Sequence, residues 1–223
     1  MNFLAHYFFD RTDNIYHNVG LVLPDLSRNF CKGHLNLKQE FEGADFNALK
    51  SGSLKHLAKD KIFHQSVFFK EAQKSVSLLL DHEAQWPRKW FLNHVLTEIM
   101  LDRVLMDANP QLCSDFYRDL GEADPDVIVS FLEKGGVVNA QLFKERYLKF
   151  LEYQFIFNYL HNEKLIIALS RLYLKVGIQY EWQKADEDLL NRHFVAILDT
   201  IAPQIDYLTK ELKLNIDENN KQL

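Results

Sequence analysis

Only eight Gly and five Pro interrupt 223 residues, and between them apolar residues recur mostly at intervals of three and four. That spacing lines them along one face of a helix, whereas a half-buried strand needs alternation at two. A chain with so few breakers has few places to turn, so it must fold largely as helices. The expectation is an all-α, compact multi-helix architecture.

The breakers that do occur mark the element ends. The first helix begins near Asn2; residues 17–20 read as a turn, after which Pro24 starts a helix with Asp25 in its first turn. Residues 32–43 read as a surface connection or short helix, 45–80 as one long helical segment, and Trp86-Pro87 as a break. A strongly apolar helix over 88–106 is closed by Asn109-Pro110, and GEADPDVIVSFLEKGG reads as a short connecting helix between turns. Helices over 141–159, 163–176 and 185–212 complete the chain, with Pro203 kinking or splitting the last. No repeat or long linker appears, so residues 1–215 read as a single helical domain and 216–223 as a polar tail. The alternative is two domains meeting near residues 122–136.

Composition excludes several classes. With 26 Lys and Arg against 31 Asp and Glu, a net charge of −5 and no dominant basic tract, nucleic acid is not an expected partner. No window approaches the roughly 18 uncharged apolar residues that a membrane span needs, and MNFLAHYFFDR is too short and polar for a signal peptide. The expected setting is cytoplasmic and soluble. Cys31 and Cys113 stand in no metal-ligand or disulfide spacing and read as reduced thiols. Trp86, Trp90 and Trp182 read as packing anchors.

Two stretches place ionisable side chains at a strict four-residue step: His56, Asp60 and His64, then His94, Glu98 and Asp102. Each trio lies along one helix face, and two such stripes facing each other would hold a metal ion and a water. Either stripe alone is more simply a helix-stabilising pair with a surface histidine. His6 and Asp25 sit amid apolar neighbours in two other segments, so that four separate segments each place a ligand-type residue. Buried carboxylates require partners or a metal, and a hard divalent ion such as Mn²⁺ favours carboxylate oxygen while tolerating imidazole. The triplet Asp81-His82-Glu83 is a weaker ligand set, because adjacent helical residues point in different directions.

The opening MNFLAH, the element GLVLPDL at 20–26 and the block GSLKHLAKDKIFH at 52–64 resemble the opening motifs of the acyl carrier protein phosphodiesterase family. Gly20 and Asp25 match the family's second motif, and His56 and Asp60 match its helical His, Asp, Asp series, with His64 in place of the last Asp. The family's Asp-His pair is matched at His94, with Asn93 in place of the Asp. LIIALSRLYLKVG at 165–177 resembles its C-terminal helices.

The resemblance implies an HD-like helical metal-dependent phosphohydrolase that removes 4′-phosphopantetheine from the serine of holo acyl carrier protein. It implies a metal, Mn²⁺ in this reading, held by His6, Asp25, His56 and Asp60. Asp25 and His94 would serve in catalysis, His94 orienting the phosphate or protonating the leaving serine oxygen. His64, Asn93, Glu98 and Asp102 would line the site, with Glu98 and Asp102 restoring the charge lost at Asn93. An acidic carrier protein would dock on Arg28, Lys55, Lys59 and Lys61. The alternatives are a helical phosphohydrolase for another phosphate ester, which would ignore Lys59, and a non-catalytic helical binding protein, which would bind no metal.

Overall fold

A computed structural model describes residues 1–80 and 86–220, the side chains of 214–220 excepted. Among the described residues there are twelve α-helices and no strand. They are α1 (Phe3–Asp10), α2 (Ile15–Gly20), α3 (Leu23–Cys31), α4 (Ala44–Gln65), α5 (Val67–Leu80), α6 (Lys89–Ala108), α7 (Leu112–Glu122), α8 (Pro125–Lys134), α9 (Ala140–Tyr153), α10 (Asn162–Lys175), α11 (Lys184–Ile201) and α12 (Ile205–Asn220). The contacts sort them into two compact units, Met1–Lys61 with Asn109–Phe155, and Ile62–Ala108 with Ile156–Leu223.

In the first unit α1 is embedded over most of its length, with Phe3, Leu4, Ala5, His6 and Tyr7 all buried. The Phe3 ring lies 5.9 Å from that of Phe150, and Tyr7 stands edge-on to Phe116 at 5.4 Å. One carboxylate clasps three helices. Asp119 of α7 accepts from the Tyr7 hydroxyl of α1 at 2.7 Å, from Asn18 of α2 at 2.8 Å and from Arg118 at 2.9 Å. Cys31 and Cys113 are both buried in this unit, and neither is in a disulfide.

Helices α2 and α4 approach backbone to backbone at a pair of glycines. A Cβ on Gly52 would fall 2.1 Å from the His17 carbonyl oxygen and 2.9 Å from Gly20 Cα, and one on Gly20 would fall 2.5 Å from the Leu49 oxygen. Only glycine permits such a crossing. Ser53 donates to the Gly20 carbonyl beside it at 3.3 Å.

In the second unit α5, α6 and α11 pack on one another and α10 packs on α11. Phe68, Leu92, Leu96, Leu190 and Phe194 are fully buried at its core. Trp86 donates to Asp186 at 2.6 Å and packs on Trp182, but Trp90 is exposed and anchors nothing in the core.

Several boundaries depart from the periodicity. Residues 17–20 belong to helix α2, because the Asn14 side chain accepts from the His17 N–H and caps a helix there. The segment 45–80 is two helices. Ser66 donates to the Phe63 carbonyl at 2.6 Å and accepts from the Phe69 N–H at 3.0 Å, which ends one helix and starts the next. Helix α9 stops at Tyr153, where Gln154 takes φ 43°, and a 3₁₀ turn follows. Pro203 splits the last segment. Helix α7 has no counterpart among the expected elements, whereas residues 32–43 form the connection expected there, without a helix.

Of the expected tail, α12 continues to Asn220, whereas 221–223 and the triplet 81–83 lie outside the described residues. Among the described residues no helix is long and apolar enough to cross a membrane.

Candidate metal centre

Three of the first unit's motif-borne residues converge. His6 from α1, Asp25 from the first turn of α3 and His56 from α4 offer ligand atoms that all lie within 4.8 Å of one another. Their placement is local chemistry joined by the glycine crossing. Asp25 sits at a helix start that Pro24 initiates, and His56 lies one turn after Gly52 on the face of α4 that meets α2.

The crossing puts the Leu21 carbonyl against His56. His56 Nδ1 is 2.8 Å from that oxygen and must donate to it, so the ring carries its hydrogen on Nδ1. The Nε2 lone pair is then free and faces Asp25 Oδ1 at 3.7 Å. A backbone carbonyl that fixes the tautomer in this way is a recurrent support of metal-binding imidazoles.

The His6 ring stacks on that of His56, with centroids 3.8 Å apart and planes 24° apart. Both His6 ring nitrogens are buried and have no hydrogen-bond partner. Such orphaned nitrogens are costly unless something binds them. Burial, then the neighbouring His56, holds the His6 pKa well below the usual imidazole value, and burial likewise lowers His56. Both rings are therefore neutral at physiological pH, the form in which imidazole binds a metal. Burial raises the Asp25 carboxyl against the pull of His56, so its charged form lacks a full counter-charge.

The residues therefore fit a cation. Two ligand atoms about 2.2 Å from one ion are about 3.1 Å apart in cis and about 4.4 Å apart in trans, and a 3.7 Å gap lies between the two.

Asp60 stands beside this group. Its Oδ1 takes the Met1 ammonium at 2.6 Å and lies 3.7 Å from His6 Nε2, too long for a hydrogen bond. Of the four expected ligands, three converge and the fourth flanks them with a cation already in place.

The expected basic rim changes in one member. Lys59 is buried, ion-paired with Asp10 at 2.7 Å and donating to the Phe9 carbonyl at 3.2 Å. It is a structural cation and cannot meet a partner's surface. Arg28 and Lys61 are exposed, and Lys55 is half-buried with Asp10 at 3.8 Å.

The first four-residue stripe divides between the units, His56 and Asp60 falling in the first and His64 in the second. There His64, His94 and Glu98 form another group of ligand-type atoms. Asn93 and Asp102 are buried and are not members of it. Asp102 is thus a core residue of α6, outside that group.

Sequence reasoning missed the Leu21 carbonyl, the Met1 ammonium and the Asp10–Lys59 pair, which depend on contacts across more than thirty residues. The glycine crossing did leave a signal, since Gly52 sits inside a helix where glycine is otherwise unfavourable. Comparison of the chain with protein-family models, with curated proteins and with solved structures gives no match in any of the three.

Proposed function

We propose that the chain is a divalent-metal-dependent phosphodiesterase that releases 4′-phosphopantetheine from holo acyl carrier protein. The observation that carries the reading is the convergence of His6, Asp25 and His56, one from each of three motif-like segments, with ligand atoms within 4.8 Å. Charge on the surface supports the choice of partner. Arg28 and Lys61 are exposed on the helices that supply Asp25 and His56, and an acidic carrier would find them there.

In the reaction a water oxygen adds to phosphorus, the bond from phosphorus to the serine oxygen breaks, and that oxygen takes a proton. Apo carrier and free phosphopantetheine leave. His6, Asp25, His56 and, at the margin, Asp60 would hold the ion, and two imidazole nitrogens with carboxylate oxygen are donors that Mn²⁺ accepts. A divalent ion supplies Lewis-acid polarisation of a phosphoryl oxygen and acidifies water. The chain's own part is to keep both imidazoles neutral by burial, to fix the His56 tautomer through Leu21, and to aim the Asp25 charge at the same point.

The test is to incubate the purified protein with holo acyl carrier protein and Mn²⁺ and to follow the carrier's mass, beside Asp25→Ala and His56→Ala controls. Loss of the phosphopantetheine mass with the unaltered protein alone is the expected result. An unchanged carrier mass while Mn²⁺ remains bound in an Asp25-dependent manner would move the reading to another phosphate ester.

A further inference from the structure

His64, His94 and Glu98 place three donor atoms at the corners of a small triangle. His64 Nε2 is 3.0 Å from Glu98 Oε1, His94 Nε2 is 3.2 Å from the same oxygen, and the two Nε2 atoms are 3.3 Å apart. Hydrogen bonds alone cannot satisfy all three edges. If both rings donate to Glu98, two N–H donors confront each other across 3.3 Å. If either ring carries its hydrogen on Nδ1 instead, its Nε2 lone pair faces a carboxylate oxygen. A single cation over the triangle removes the conflict, because all three atoms then present lone pairs to it.

The dimensions select the kind of ion. Donors about 2.0 Å from a tetrahedral centre are about 3.3 Å apart, close to every edge of this triangle. Two imidazoles and one carboxylate are a set that Zn²⁺ favours, and three protein ligands leave a fourth position open. The group is reachable from solvent, with the His64, His94 and Glu98 side chains 28%, 35% and 16% exposed. Packing holds the group from the other side. His94 and Glu98 are one turn apart on α6, the two imidazole planes lie 12° from parallel, and the buried Phe69 ring stands edge-on to both at 4.9 and 5.1 Å.

We propose that His64, His94 and Glu98 form a Zn²⁺-type site within the second unit, its fourth position open to water or to an anionic oxygen. The site does not depend on the carrier-protein reading. It gives His94 the role of a metal ligand instead of an acid toward the leaving oxygen.

Co²⁺ is the probe, because four-coordinate Co²⁺ absorbs intensely in the visible and six-coordinate Co²⁺ only weakly. The full-length Asp25→Asn/His56→Asn protein, with the other centre disabled, is expected to take up one equivalent with the four-coordinate spectrum. Adding Glu98→Gln or His64→Asn is expected to abolish the band and weaken binding about a hundredfold or more, at least the loss seen when outer-shell partners are removed. Circular dichroism establishes that each variant remains helical. Should the double variant not fold, Glu98→Gln in the otherwise unaltered protein must lower Co²⁺ uptake by one equivalent, with the matching loss of four-coordinate absorbance. No uptake by the folded double variant, or a band that Glu98→Gln and His64→Asn leave intact, overturns the site. Failure of the carrier-protein assay leaves all of these readings unchanged, so the two proposals fail separately.

Discussion

His56 gives its Nδ1 hydrogen to the carbonyl of Leu21 across 2.8 Å. The bond separates two duties of one ring, structural on one nitrogen and ligating on the other. Asparagine reproduces the Nδ1 donor but has no atom at Nε2. His56→Asn is therefore expected to keep the protein folded while weakening Mn²⁺ about a hundredfold or more. Thermal unfolding without metal, set beside an electron paramagnetic resonance titration with Mn²⁺, separates the two effects. A variant that binds Mn²⁺ as the unaltered protein does would remove His56 from the centre.

Gly52 faces the His17 oxygen and Gly20 with no room for a methyl group. Gly52→Ala is expected to cost about 3 kcal/mol, the upper part of the usual overpacking range. Because the same crossing brings Leu21 to His56, metal affinity should fall along with stability. Chemical denaturation and Mn²⁺ titration of one preparation would show the two losses together.

Lys59 neutralises Asp10 in the interior. Lys59→Ala takes from Asp10 its close cation and leaves Lys55 3.8 Å away, and is expected to destabilise the fold by about 3 kcal/mol. Lys61→Glu, at an exposed position of the same helix, should leave unfolding within about 0.5 kcal/mol of the parent. Under the carrier-protein reading it should instead raise KM for holo carrier with kcat unchanged, which steady-state kinetics at low ionic strength would detect.

Acid should weaken the metal-free protein. His6 and His56 have folded pKa values depressed by burial, so below about pH 6.5 the unfolded chain binds protons that the folded chain refuses. Their stabilisation is complete above that value and is lost as pH falls toward the depressed folded values. Asp25 opposes this, since its raised carboxyl binds a proton more readily when folded and gains stability as pH falls. With His17 lowered by burial in the same way, three histidines against one carboxyl predict a lower Tm at pH 5.5 than at pH 7.5, and His6→Asn should reduce the difference. Equal midpoints at the two values would contradict the burial of neutral imidazoles.

The helical class was legible because periodicity and missing breakers are local properties. Asp25 at the start of α3 was legible for the same reason, since Pro24 carries the signal in the adjacent position. What escaped depends on distant partners. Lys59 reads as one more solvated lysine until α1 brings Asp10 against it. The division at Ser66 escaped because one serine hydroxyl replaced backbone hydrogen bonds inside an unbroken helical pattern. The four-residue stripes singled out His56, His64, His94 and Glu98, which the structure places in two separate groups of ligand-type atoms, and spacing along helices could not tell which of them share a neighbourhood.

Both thiols of the chain belong to the half that holds His6, Asp25 and His56. Buried sulfur reacts with a disulfide reagent only when its surroundings open, and burial further suppresses the thiolate of Cys31. The rate of thiol labelling is thus an intrinsic clock for breathing of that half. Saturation with a divalent cation should slow it without any dye or engineered cysteine being introduced.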